Sequence, residues 1–478
     1  MMRSLFSGVS GLKNHQTRMD VIGNNISNVN TTGFKSSRVT FTDTLNQTLS
    51  GASTPTENLG GTNPKQIGLG SAVGSVDLLF TDGSVQSTGK NTDLCLSGSG
   101  LFVVKSGQGT YYTRNGAFEF DAAGNYVLPG SGMFVQGWMA SDGTLLTTGE
   151  PGNIQIEAGK SMASKATKKI DYTLNLNAST PTITSIAVTN NAGVTTTLST
   201  AGQNSAVDGT NVVSLVLSLS DGTSVTLASP SDVHYTVGNS TPVSTAVTVY
   251  DSLGNAHKVP IMIEKTGANN WVASLNGQTG GNSKVITESD NSTTTLTLSA
   301  TNIPFKTDGS YDASTGSAAT LNLAYANGNG AAAQSATIDF SALTQYAGTS
   351  TVKGSADGNA AGNLKSLAVD STGTITGTYT NGIVQAEAQV AIAQFNNPSG
   401  LTKTGSSLYQ VSNNSGAANV KTATDLGCTI TPSALEMSNV DMANEFSDMI
   451  ITQRGFQSNS KIITTSDEML ETLVNMKR

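Results

Sequence analysis

The chain is predicted to be mainly β with terminal α-helices: a helical N/C-terminal coiled-coil layer plus nested β-rich domains of sandwich or barrel type. Three observations point there. Apolar residues recur with seven-residue periodicity at both ends, through Leu5, Val9, Leu12, Met19 and Ile26, and again through Met442, Phe446, Met449, Phe456, Ile463, Leu470 and Val474. Such a stripe is a narrow seam that buries fully only against another helix. Between the ends, short runs alternate with period two and stop at Gly, Asn and Asp, as strands do. The composition agrees, since 51 glycines with only 12% charged and 5% aromatic residues suit turn-rich β-domains.

The 478 residues allow about three domains. Residues 1–30 read as the first helix, which Asn24-Asn25-Ile26-Ser27-Asn28-Val29-Asn30 ends, because Asn and Ser compete for backbone hydrogen bonds. Gly33 then supplies a turn, and 31–70, rich in Ser, Thr and Gly with Pro55 and Pro64, reads as an extended connector. From 71 to 150 the strands Leu101-Phe102-Val103-Val104, Tyr111-Tyr112-Thr113 and Phe134-Val135-Gln136-Gly137-Trp138 stand between turns at Asp82-Gly83, Asn115-Gly116 and Asp142-Gly143. Residues 151–355 carry Thr/Val-rich strands such as 213–219 and 246–250, broken by low-complexity stretches including 327–333. Strands resume in 356–432, and the last helix is expected from Ser433 to the end. The order helix, β, β, β, helix nests simply. The two ends form one layer and 71–150 with 356–432 an inner β-domain, while 151–355 is an inserted outer domain of one or two subdomains. Insertion at a loop is easy because closure entropy rises slowly with length.

Several function classes lose support. The net charge is −8 and no Lys/Arg-rich run exists, so the footprint for nucleic acid is missing. No apolar run has the length of a signal peptide or membrane span, so membrane insertion is not expected. Either the chain stays in the cytoplasm or it leaves by a route without a cleavable signal. Cys95 and Cys428 form no disulfide framework, and Cys95 reads as a small buried hydrophobe. His15, His234 and His257 lack partners at metal-ligand spacing, the glycine-rich run 68–74 lacks a phosphate-loop lysine, and 251–254 lacks the glycine of a nucleophile elbow. No cofactor, metal or catalytic residue is expected, and the chain does not read as an enzyme.

Several separate segments resemble one family. Asn24-Asn25-Ile26-Ser27-Asn28-Val29-Asn30-Thr31-Thr32-Gly33-Phe34-Lys35 resembles the N-terminal signature of bacterial flagellar rod and hook proteins. Leu435-Glu436-Met437-Ser438-Asn439-Val440-Asp441 and Gln453-Arg454-Gly455-Phe456-Gln457-Ser458-Asn459 resemble the C-terminal one. Tyr112-Thr113-Arg114-Asn115-Gly116-Ala117-Phe118, Val135-Gln136-Gly137-Trp138 and Asn396-Asn397-Pro398-Ser399-Gly400-Leu401 are similar to the family's inner β-domain, and Tyr250-Asp251-Ser252-Leu253-Gly254-Asn255 to the outer domain of its hook subunits. The departures are extra length around 180–245 and 280–360, and Cys95 where the family has a small apolar residue. The length and inserted domain favour a hook-type member over the shorter distal rod type. The alternatives are a rod or hook-associated protein of the same family, or a secreted β-rich adhesin, which would need a signal peptide or anchor.

The resemblance implies a structural subunit of the bacterial flagellum that polymerises with itself into a curved tube. Such a tube is a universal joint that passes torque from rod to filament. It implies as further partners the distal rod protein, the hook cap protein, the hook-filament junction protein and the flagellar type III export apparatus, which needs no cleavable signal. Phe41 and Leu45 resemble the aromatic–x–x–x–aliphatic element that meets the export gate.

Overall fold

The protein is described here as a computed structural model covering residues 2–55, 59–107, 109–203, 205, 212–228, 234–276, 282–288, 292–299, 302–316, 318–325 and 330–476. Asn327 and the two residues after it lie outside the described residues. Two long helices stand at the ends, α1 (Met2–Ser27) and α2 (Met442–Asn475), and nearly all regular structure between them is strand.

The start of α2 differs from the sequence expectation. Ser433 takes φ of 58°, and Ala434–Glu436 runs as a strand antiparallel to Val85–Ser87. The helix begins only after Asp441, whose carboxylate accepts from the amides of Ala443 (2.9 Å) and Asn444 (3.3 Å). An Asp at this cap position satisfies amides that no earlier turn can reach. Within 433–441, Ala434–Glu436 is therefore strand and the rest leads into the cap.

The connector is more ordered than its composition suggests. Ser37–Asp43 pairs antiparallel with Ser71–Leu78 through one bulge at Thr40/Phe41, and Asn46–Ser50 pairs with Lys65–Gly68 beyond it. Little apolar alternation marks these strands. Backbone pairing and hydroxyl pairs such as Thr40–Ser75 (2.6 Å) hold them instead, and an isolated bridge at Ser53–Thr62, with hydroxyls 2.8 Å apart, follows.

The chain divides into two compact units, one of residues 1–160 with 364–478, the other Ser161–Asn363. These crossings come later than the 151 and 355 read from composition. Gly152–Asn153 still pairs with Met133–Ser141, and the Leu364 amide donates to the Lys160 carbonyl (2.9 Å), so the first unit holds both segments.

In the first unit an antiparallel sheet runs in the order Thr374–Tyr379, Val384–Val390, Met133–Ser141, Gly100–Ser106, Gly109–Thr113, Leu408–Gln410, Thr402–Gly405. Its central strand Gly100–Ser106 is buried on both faces. Phe102 and Val104 enter one core with Phe118, Tyr126 and Val390, while Leu101 and Val103 enter another with Trp138 and Tyr409. Period-two side chains make this division automatic.

In the second unit a six-stranded and a four-stranded sheet share a core around Trp271, Tyr172 and Ile261. A separate four-stranded antiparallel sheet, in the order Thr195–Leu198, Ile183–Asn190, Val212–Leu219, Ser224–Ala228, carries its own core around Ile186 and Leu217. Within the six-stranded sheet Lys169–Asn177 and Gln334–Tyr346 pair in parallel across a long sequence gap.

Candidate assembly site

The two end helices pair along a line that their apolar stripes flank, and Ile463 is the stripe residue that reaches it. The line of α1 that meets α2 is Ser4, Gly8, Gly11, His15, Arg18 and Asn25, each one residue before Leu5, Val9, Leu12, Gln16, Met19 and Ile26, the heptad line that carries the stripe. The Ser4 and Ser466 hydroxyls lie 3.4 Å apart, Arg18 pairs with Asp448 at 3.0 Å, and Asn25 Nδ2 donates to Glu445 Oε1 at 2.9 Å. Glycine sets the spacing. A Cβ at Gly8 would stand 3.3 Å from Ile463 Cγ1, one at Gly11 2.7 Å from the Asn459 amide, and one at Gly455 2.6 Å from the His15 ring. Thr452 and Ser466 are the buried side chains of α2.

One residue is a turn of 100° on an α-helix, so the apolar stripes flank the contact. Leu5, Leu12, Met19, Ile26, Met449, Ile463 and Leu470 are half-buried. Val9 and Met442 are exposed, as are Phe446 (47%), Phe456 (42%) and Val474 (67%). Phe6, Ile450 and Ile451 widen this apolar surface. Sequence periodicity found the stripes and missed the contact line, because glycine and hydroxyl residues carry no apolar signal.

Behind the helix pair lies a buried charged junction that gathers the two family-like signatures. Glu436 Oε1 accepts from Lys35 Nζ (2.7 Å) and the Gly83 amide (2.9 Å), while Oε2 accepts from Arg114 Nη1 (3.2 Å). All three side chains are about 1% exposed. Lys35 Nζ also donates to the Thr81 carbonyl (2.6 Å), and Arg114 to the carbonyls of Leu96 (3.0 Å) and Gly98 and to Asp82 (3.3 Å). Burial, then the neighbouring Arg114, holds the Lys35 amine below its ordinary range despite Glu436. Burial, then Glu436, pushes the Cys95 thiol up to about 11. Cys95 and Cys428 are both free and buried.

Each signature residue has a place here. Asn25, buried, holds the Ser37 amide and carbonyl (3.0 and 2.9 Å) besides Glu445. Asn28 receives Thr31 Oγ1 (3.1 Å), Thr32 donates to Asn115 Oδ1 (3.2 Å), and Asn24 is exposed. Gly33, at φ of 64°, donates to the Glu436 carbonyl (2.8 Å) and leaves no room for a Cβ, which would meet the Asn115 nitrogen at 2.4 Å. Phe34 is buried beneath Lys403, whose ammonium stands 3.8 Å from the ring centroid. Asn439 takes the Ser36 amide (2.8 Å) and donates to the Leu79 carbonyl (2.8 Å). Ser438 is buried and receives the Val440 amide (3.4 Å), and Val440 is half-buried before the Asp441 cap. Arg114, Glu436, Asp82 and Lys403 join this network although sequence reasoning did not select them. Arg114 and Glu436 lay inside quoted motifs, which was the available signal.

The remaining candidates stand apart. Phe41 (38% exposed) lies on Ser37–Asp43 and Leu45 (75% exposed) just beyond it. His257 has partners that its sequence spacing hid, Glu288 (2.8 Å) at Nδ1 and Asp251 (3.4 Å) at Nε2. No cluster among the described residues could hold a metal ion, and no helix among them is long and apolar enough to cross a membrane.

Comparison with known proteins follows the same segments. Residues 5–35 match the flagella basal body rod protein family, 95–194 the flagellar hook protein FlgE/F/G D1 domain, 221–359 the flagellar basal body protein FlaE D2 domain, and 431–476 the flagellar basal body rod FlgEFG protein C-terminal family. The chain is 40% identical to the flagellar hook protein FlgE of Treponema pallidum (strain Nichols), over 100% of both chains. It is 38% identical to that of Borreliella burgdorferi (strain ATCC 35210 / DSM 4680 / CIP 102532 / B31), again over 100% of both. A crystal structure of Helicobacter pylori flagellar hook protein FlgE2 aligns with a TM-score of 0.42 at 16% identity, over 74% of this chain and 100% of that one.

Proposed function

The chain belongs to the flagellar hook protein family, and from that premise we propose how its parts assemble. It is a structural subunit of the bacterial flagellar hook, in a family of structural proteins that polymerise in the flagellum. Copies join through the terminal helices. Within one subunit, α1 and α2 lock by their Gly/Ser/Asn line, and the apolar stripes beside that line bury against the helices of neighbouring copies. The result is an inner helical layer, with the β-units outside it, in a curved tube that bends while passing torque from rod to filament. The buried Lys35–Glu436–Arg114 junction fixes each helix pair to its own β-unit, so load on the helices reaches the wall. Further partners in this reading are the distal rod protein, hook cap protein, hook-filament junction protein and type III export apparatus, with Phe41 and Leu45 exposed for the export gate.

The observation that carries the proposal is the exposure of Phe446, Phe456 and Val474 on a helix that is already paired along another line. Burying such side chains contributes roughly 2–3 kcal/mol each. Phe456→Asp should abolish tubes in electron micrographs while circular dichroism of the β-units stays near wild type. Normal tubes from this variant would refute the stripe assignment.

A further inference from the structure

His15 stands midway along the helix contact with its ring over Gly455, where a Cβ would lie 2.6 Å from both Cε1 and Nε2. Its Nδ1 is sealed from solvent and has no hydrogen-bond partner. The Phe41 ring meets it edge-on, 6.1 Å between centroids. Two cavities flank it. One of about 400 Å³ is lined by Ser7, Asn14, Ser71 and Asn459, the other of about 230 Å³ by Met19, Asp20, Gln453 and Phe456.

The surrounding charges offer a second proton no home. On α1 the charged neighbours are Arg18 and Asp20, and Asp20 only lines the cavity wall. On α2 the ring stands over Gly455, and the Asp448 carboxylate is held by Arg18 at 3.0 Å. Strand Ser37–Asp43 presents Phe41, which does not ionise. Strand Ser71–Leu78 presents the Ser71 hydroxyl, which accepts from Asn14 Nδ2 at 2.7 Å. A neutral imidazole fits with its proton on Nε2 and a bare Nδ1. An imidazolium would place a charged N–H where no acceptor reaches it.

We propose that His15 is a pH-sensitive latch, closing the α1–α2 pair while neutral and opening its centre on proton uptake, so that acid loosens the assembled tube. This rests on the reading that the helix pair forms the tube's inner layer. Burial first, then Arg18, lowers the imidazole below its ordinary value of 6.5. A depressed histidine stabilises the closed pair fully above that ordinary value. The stability is lost as pH falls below it, until the closed form also takes up the proton.

The test is amide hydrogen exchange in assembled tubes at neutral pH and at about pH 5, corrected for intrinsic rate. Protection across Met19–Ile22 should be present at the higher pH and lost at the lower in the wild type. His15→Gln tubes should keep their protection, and His15→Asn carries the same expectation should the first variant fail to assemble. Equal wild-type protection at both pH values overturns the latch without touching the assembly proposal. So does an undiminished loss in the variants. Wild-type chains that form no tubes even at neutral pH would count against the assembly proposal instead.

Discussion

At the scale of single residues, the buried junction concentrates the largest effects. Glu436 is one carboxylate between two sealed cations, so its loss strands charge, while loss of one cation leaves the other pair intact. Glu436→Ala should therefore destabilise by about 3–5 kcal/mol, and Lys35→Met by about 1–3 kcal/mol. Urea unfolding of the full chain measures both, and the reverse order would contradict the account. Asp251 makes a pH-dependent contribution. Burial alone would raise its carboxyl, but hydrogen bonds from Asn255 and His257 and the Leu253 amide outweigh burial and hold it below its ordinary 3.8. A depressed carboxyl stabilises fully above that ordinary value, and its contribution is lost as pH falls through the lower folded value. Acid titration followed by Trp271 fluorescence should show this limb, and Asp251→Asn should flatten it.

At the scale of elements, the helix pair depends on absence of side chains where helices touch. Replacing Gly455 by Leu drives a branched chain into the His15 ring, so the helices must separate or rotate. We expect Gly455→Leu to abolish tubes as completely as a stripe variant, while exposed Ser460→Ala leaves them unchanged in micrographs. The cap is a milder lever. Asp441→Ala removes the oxygen that accepts from two backbone amides and should lower the stability of α2 by about 1 kcal/mol, read as faster exchange in its first turn. An unchanged rate there would mean that packing of the strand before it, not the cap, sets where the helix begins.

For the whole molecule, the chain leaves and re-enters the first unit at adjacent residues. Ser161 and Asn363 are paired, and Leu364 donates to Lys160 at 2.9 Å. Excising Ser161–Asn363 and joining 160 to 364 through two glycines should thus leave the first unit folded. A cooperative thermal transition and tubes of reduced diameter are the expected results. Loss of cooperative unfolding would show that the two units need a common core.

The sequence alone determined the element classes, a β-rich middle between two helical ends, and the family. Periodicity and turn chemistry are local properties, and the Asn24–Lys35 and Leu435–Asp441 segments are long enough to identify. It also showed which residues form apolar stripes at Val9, Phe446 and Phe456. What only the tertiary structure decided was which helix line makes the contact, because Gly8, Gly11 and Gly455 act by what they lack. It decided that 433–441 is strand and cap, since the partner strand Val85–Ser87 lies some 350 residues away in sequence. It also decided that Lys35, Arg114 and Glu436 meet. Each sits in a separate motif, and a buried ion network arises only when backbone topology brings distant charges into one water-excluded place.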